Sequence, residues 1–244
     1  MAVKQSPKKV AAEIRAILKS RGSAEHAKGV QWFFKEEVKS HGWYTAALRT
    51  FARQRRGEIL KENDLEFLVQ VADRLFTGRV LEEKIFAVLL LENLTRELGE
   101  THFQLFESWL DRISSWADHD GLVHYLIAPL IAIDSKRLPR IFEWAKSRDR
   151  WHRRAACVAL IQGTRQKHFF RQVVQLSNVL LCDDDDMVQK GLGWLLRETS
   201  KRDPERTIPY LLKIRSLAPR LVLRTACETL SLEQKKLVLA KTLQ

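Results

Sequence analysis

With 244 residues, 45% of them hydrophobic and 30% charged, the chain carries enough apolar material for a large core and is not an intrinsically disordered polymer. Ten glycines and six prolines give little turn punctuation, which favours long helices over many short strands. A net charge of +12 and a pI of about 9.8 point to a polyanionic partner, and no apolar run approaches the roughly 20 residues that a membrane span needs.

Residues 1–9 read as a disordered basic start broken by Pro7. The spacing of Val10, Ala11, Ile14, Ile17 and Leu18 predicts a helix over 9–20, ended by Gly22-Ser23. Gln31-Trp32-Phe33-Phe34-Lys35 reads as the opening of a second helix whose aromatics belong to the core, bounded by His41-Gly42. Further helices are predicted over 46–54 and 66–75. From there a repeat emerges. Small residues mark apolar helices at Ala87, Ala156, Gly193 and Ala226, and the segment around Asp120 falls between the first two; the steps are 33, 36, 37 and 33 residues. Second helices lie between them, over 103–113, 138–146, 169–181 and 208–217. Helix pairs at this period predict an all-α fold, an α-solenoid of HEAT-like repeats forming one domain over 1–244, curved and with a basic concave groove.

The basic charge is blocked along the chain. Residues 1–60 carry 13 Lys/Arg against 5 acids, residues 148–171 carry 7 against 1, and residues 188–224 carry 9 against 3. Equivalent helices of the repeat begin near Glu82, Asp120, Trp151, Val188 and Leu221. Their polar positions are expected on one surface: Trp116, Asp120, Trp151, Arg153, Arg154, Lys190, Trp194, Arg197, Arg220 and Arg224. Arginines and lysines on a groove suit phosphate contact, because each neutralised phosphate releases a counterion. Tryptophans there can stack on bases or lie against sugars. A carboxylate in such a groove opposes DNA binding, so it needs a structural partner or a chemical role.

Structural readings stand beside these. In Ser114 to Leu122 a serine caps a helix and Asp118 answers its macrodipole. His119 reads as a solvated or capping histidine, Trp151 as a packing residue at a helix start, and Gly193 as room for a core indole. Arg154 and Asp120 can form an ion pair across adjacent repeats. The three distant cysteines, Cys157, Cys182 and Cys227, read as reduced thiols. The seven histidines show no HExxH, so no metal is expected. Without a signal-like N-terminus, the chain is expected in the cytoplasm.

Three segments resemble one family: Ser115-Trp116-Ala117-Asp118-His119-Asp120, Trp151-His152-Arg153-Arg154-Ala155-Ala156, and Gln189-Lys190-Gly191-Leu192-Gly193-Trp194-Leu195-Leu196-Arg197-Glu198. In order and spacing they resemble the AlkD-type DNA alkylation-repair glycosylases, over roughly residues 25–230. The resemblance implies a glycosylase, needing no cofactor, that hydrolyses the N-glycosidic bond of cationic N3- or N7-alkylated purines in duplex DNA without flipping the base; a solenoid that wraps DNA is expected to be a monomer. It implies that Asp120 is the catalytic carboxylate, that Trp116 and Trp194 cradle the deoxyribose, and that Arg154 meets the active-site phosphate. Arg153, Lys190, Arg197 and Arg224 are expected along the DNA. The family's N-terminal aromatic falls at Trp32 or Phe33, and Ala117 and His119 depart from the family pattern. Two other classes remain in view, a non-catalytic DNA- or RNA-binding paralogue and a protein-interaction scaffold.

Overall fold

A computed structural model describes residues 6–164 and 169–240. Arg165 and Lys167 of the second basic block, and residues 1–5 of the expected disordered start, lie outside the described residues. The chain forms two compact units, Met1–Leu126 and Ile127–Gln244. Among the described residues the regular elements are all helical, and strand-like pairing is limited to an isolated bridge between Lys39 and Val80.

The first unit contains α1 (Pro7–Ser20), α2 (Ala24–Gln31), α3 (Thr45–Glu62), α4 (Leu65–Phe76), α5 (Leu81–Leu91), α6 (Glu100–Trp109) and α7 (Trp116–Leu122). Pro7 was expected to break structure, but it starts α1. Ser6 Oγ accepts from the Lys9 N–H at 3.3 Å, and a proline at the first helical position gives up only an N–H that has no intrahelical partner. Helix α5 packs against α3, α4 and α7 and is the central element of this unit. Its core stacks Trp109 on Phe76 at 4.3 Å between ring centroids, with the indole N–H donating to Asp73 Oδ1 at 2.9 Å.

The second unit contains α8 (Ala128–Ile133), α9 (Leu138–Trp144), α10 (Arg150–Thr164), α11 (Phe170–Leu180), α12 (Asp186–Arg202), α13 (Pro204–Ile214), α14 (Arg220–Ala226) and α15 (Leu232–Leu239). Helices α8, α10, α12 and α14 pack in succession, with α9, α11 and α13 against them, which is the predicted repeat. The run from Ala155 to Ile161 is wholly buried, so α10 is covered on all sides. The small residues that marked the period are contact points: Ala87, Ala156 and Ala226 are buried. Gly193 makes room for the neighbouring helix and not for an indole. A Cβ there would lie 2.6 Å from Thr225 Cβ and 2.9 Å from the Val222 carbonyl oxygen, both on α14.

The aromatic run after α2 departs from expectation. The helix ends at Gln31, and Trp32 and Phe33 are 90% and 75% exposed in the following turn. Lys35, Glu36 and Glu37 follow, so no apolar stripe continues. The Gln31 side chain closes the turn, donating to the carbonyls of Phe34 (3.3 Å) and Glu36 (2.8 Å) and accepting from the Val38 N–H at 2.9 Å. Cys157 and Cys227 are buried and Cys182 is exposed, all as free thiols; burial pushes Cys157 up to about 12. Among the described residues, no helix is long and apolar enough to cross a membrane.

Candidate active site and nucleic-acid interface

In the first unit the site grows from the N-terminus of α7, where Ser115 is the N-cap and Asp118 the third helical residue. The Asp118 carboxylate is fully buried and reaches back over the cap. Its Oδ1 accepts from Ser115 N–H at 2.8 Å and Ser115 Oγ at 2.6 Å. Its Oδ2 accepts from Ser114 N–H at 3.0 Å, Ser114 Oγ at 3.1 Å and Lys84 Nζ at 3.0 Å. Lys84 comes from α5, is itself buried, and also donates to Ser114 Oγ at 2.8 Å and to the Arg112 carbonyl. Asp118 is therefore the capping acid the sequence suggested, with a buried cation from α5 added. This cluster fixes where Trp116 begins.

Trp116 and Asp120 are four residues apart on α7 and share its exposed side. Both are half-buried. The Trp116 ring stacks on Phe34 at 5.1 Å and 23°, and its Nε1–H donates to the Phe33 carbonyl at 3.4 Å. The stapled turn after α2 therefore holds the indole in place. The Asp120 carboxylate is 19% exposed, and its Oδ1 lies 2.7 Å from His119 Nδ1. His119 was read as solvated or capping; it is fully buried and bonded to Asp120. Beyond α7 the helix widens to a π turn over Val123–Ile127, before Pro129, which has no N–H to donate. On that turn Tyr125 accepts from Arg49 at 2.9 Å under the same guanidinium, 5.0 Å from its ring, while Arg49 also forks onto Glu92 at 2.8 and 3.0 Å.

In the second unit the expected DNA contacts fall into three environments. Arg154 was expected on a surface but is buried, donating to the Met187 carbonyl at 2.6 Å. Its stem passes where a Cβ on Gly191 would stand, 3.2 Å away, so that glycine serves the arginine. Arg153 is committed to Asp183 at 2.7 Å and to the carbonyls of Ser147 and Arg148, and the Asp183 bond raises its pKa. Arg197 bridges Glu198 at 3.3 Å and Glu228. Lys190 pairs with Asp186 at 3.5 Å along α12, and Arg224 on α14 is exposed. Trp194 is half-buried on α12. Trp151 is buried beneath the Arg150 guanidinium, 4.6 Å away, as a packing residue at the start of α10. Arg220 donates to the Leu239 carbonyl at 2.9 Å.

Three residues of the first site were missed by sequence reasoning. Phe34 was grouped with the core, Lys84 was not singled out, and His119 was set aside. A lysine inside the apolar run Leu81–Leu91 was a usable signal, since a buried ammonium needs an acid opposite it. Nothing in the sequence pairs Phe34 with Trp116.

The family model described as DNA alkylation repair enzyme matches residues 14–230. The fold is similar to a structure titled "Predicted DNA alkylation repair enzyme from Enterococcus faecalis", with a TM-score of 0.76 and 18% identity over 86% of this chain and 97% of that one. It is also similar to AlkD2 from Streptococcus mutans, with a TM-score of 0.62 and 20% identity over 92% and 99% of the two chains. The smu.31 protein of Streptococcus mutans UA159 gives a TM-score of 0.58 and 24% identity over 76% and 97%. No curated protein matches the chain.

Proposed function

The chain belongs to the family of DNA alkylation repair enzymes, and on that premise we propose that it is a monofunctional DNA glycosylase. It hydrolyses the N-glycosidic bond of cationic N3- or N7-alkylated purines in duplex DNA, without flipping the base. The observation that carries this reading is the pair on α7: a half-buried indole braced by Phe34, and one turn on, a partly exposed carboxylate held by a buried histidine.

The chemistry suits these groups. An alkylated purine carries positive charge and leaves as a neutral base, so no strong general acid is needed. Bond breaking leaves the electron pair on the base and develops oxocarbenium character on the sugar. The ionised Asp120 carboxylate stabilises that cation and accepts a proton from the water that adds to the anomeric carbon. The negative face of Trp116 favours a cationic sugar beside it. In the second unit Trp194 is proposed as a further substrate contact, and Arg224 and Lys190 as the readiest backbone contacts. Arg197 can exchange its partly exposed carboxylates for phosphate at small cost, since such pairs contribute about 0–1 kcal/mol. Arg153 and Arg154 are proposed to act on DNA from more enclosed positions.

The test is release of 7-methylguanine or 3-methyladenine from methylated DNA, with wild type and Asp120→Asn. Loss of one electrostatic contact of this kind costs about 3 kcal/mol, so the variant is expected to be about a hundredfold slower or more. No release by the wild type at micromolar enzyme would sink the proposal. The competing reading, a DNA binder without chemistry, predicts that Asp120→Ala only tightens DNA binding, because removing an anion from the surface reduces repulsion.

A further inference from the structure

Neighbouring positions on a helix point in different directions and do not ordinarily meet, yet His119 Nδ1 lies 2.7 Å from Asp120 Oδ1. Both side chains turn towards each other to make the contact. His119 does so while fully buried, where an imidazole is stable only with hydrogen-bonding partners. Its carboxylate partner is the exposed member of the pair, and Asp118 on its other side is already committed to Lys84 and two serines. The α7 segment thus separates two acids two residues apart: one is tied into the interior as a cap, and the other is partly exposed and bonded to its sequence neighbour.

We propose that His119 is a positioning residue for Asp120. The proposal rests on the glycosylase reading and deepens it. With its proton on Nδ1, the imidazole donates to Oδ1 and holds the carboxylate in one rotamer for the sugar cation and the attacking water. A surface carboxylate without such a donor samples several rotamers, and electrostatic stabilisation of a transition state depends on the charge being in place beforehand. The histidine touches no reacting atom; it acts through Asp120.

The experiment compares His119→Leu, which keeps a buried apolar volume but no donor, with His119→Asn, whose amide nitrogen can stand where Nδ1 stands. Single-turnover excision from methylated duplex DNA and affinity for undamaged duplex are measured for each. His119→Leu is expected to slow excision about tenfold to a hundredfold, the range covered by a hydrogen bond to a charged group, with DNA affinity unchanged. His119→Asn is expected to recover most of the rate. In an Asp120→Ala background, His119→Leu is expected to cost nothing further. Equal losses in the Leu and Asn variants, a loss expressed in DNA affinity, or an undiminished effect without Asp120 would each overturn the proposal. Nitrogen NMR of histidine-labelled free protein gives a readout independent of catalysis and of the Leu variant's folding. The Nδ1-protonated tautomer is expected in the wild type and its loss in Asp120→Ala; an Nε2-protonated His119 in the wild type overturns the assignment. Absence of base release by the wild type sinks the parent reading, whereas release with an unaltered His119→Leu rate sinks this one alone.

Discussion

Replacing Asp118 by alanine tests the claim that two acids on one short helix have opposite duties. The side chain accepts five hydrogen bonds, at 2.8 and 2.6 Å from Ser115 and at 3.0, 3.1 and 3.0 Å from Ser114 N–H, Ser114 Oγ and Lys84 Nζ. Removing it strands the Lys84 ammonium in the interior with only neutral acceptors. Leaving one member of a buried pair uncompensated costs about 3–5 kcal/mol. Part of that is lost capping, which alone accounts for about 0.5–2 kcal/mol. The remainder belongs to the stranded charge, and it should vanish when the charge is absent. In a Lys84→Met background, whose side chain fills the same apolar path, Asp118→Ala is therefore expected to cost only the capping share. Urea denaturation of the four proteins, analysed by linear extrapolation, gives the coupling directly. A cost for Asp118→Ala that is the same in both backgrounds, or below about 1 kcal/mol in the wild type, would refute the reasoning. Asp120→Asn, by contrast, keeps an acceptor oxygen for His119 and is expected to slow excision by removing the negative charge.

Two glycines with opposite surroundings give a paired prediction: Gly193→Ala forces a Cβ against Thr225 and the Val222 carbonyl and is expected to cost about 1–3 kcal/mol, while Gly57→Ala, within α3 and with nothing within 4 Å, is expected to gain about 0.5–1 kcal/mol. Thermal melts of both variants check the signs. Thiol titration of the native protein is expected to modify Cys182 alone, because Cys157 is buried and its thiol is pushed up from 9.0 to about 12. Between those two values the folded state keeps a proton that the unfolded chain releases, so this group's contribution is full below 9.0 and is lost as pH rises towards 12. Replacing Cys157 by alanine is expected to flatten that alkaline slope in denaturation measured across the window. Arg224→Ala is expected to weaken DNA binding uniformly across sequences and to reduce the salt slope by about one counterion, read from affinity against salt concentration; an unchanged slope would remove Arg224 from the interface.

The all-α repeat was legible because its signal is local and periodic. Ala87, Ala156, Gly193 and Ala226 recur at a helix-pair spacing and all are buried, and at Gly193 the close approach of α14 leaves no room for a Cβ. The shared face of Trp116 and Asp120 was legible for the same reason, since helical geometry alone sets it. The reduced thiols followed from number and spacing. Other features depend on which helix meets which. Trp32 and Phe33 have the composition of core residues, but the turn closed by Gln31 sends them outward, while Phe34 goes to an indole far along the chain. Arg153 and Arg197 counted equally with Arg224 in a charge tally, yet Asp183 holds the first in an enclosed pair and Glu228 engages the second at the surface. His119 and Asp118 are neighbours of like polarity in the sequence; only the position of α5 against α7 sends one to Lys84 and leaves the other to Asp120. A sequence records charge and periodicity residue by residue, but a charge becomes a cap, an internal ion pair or an available surface group according to the partner that long-range contact brings within about 3 Å of it.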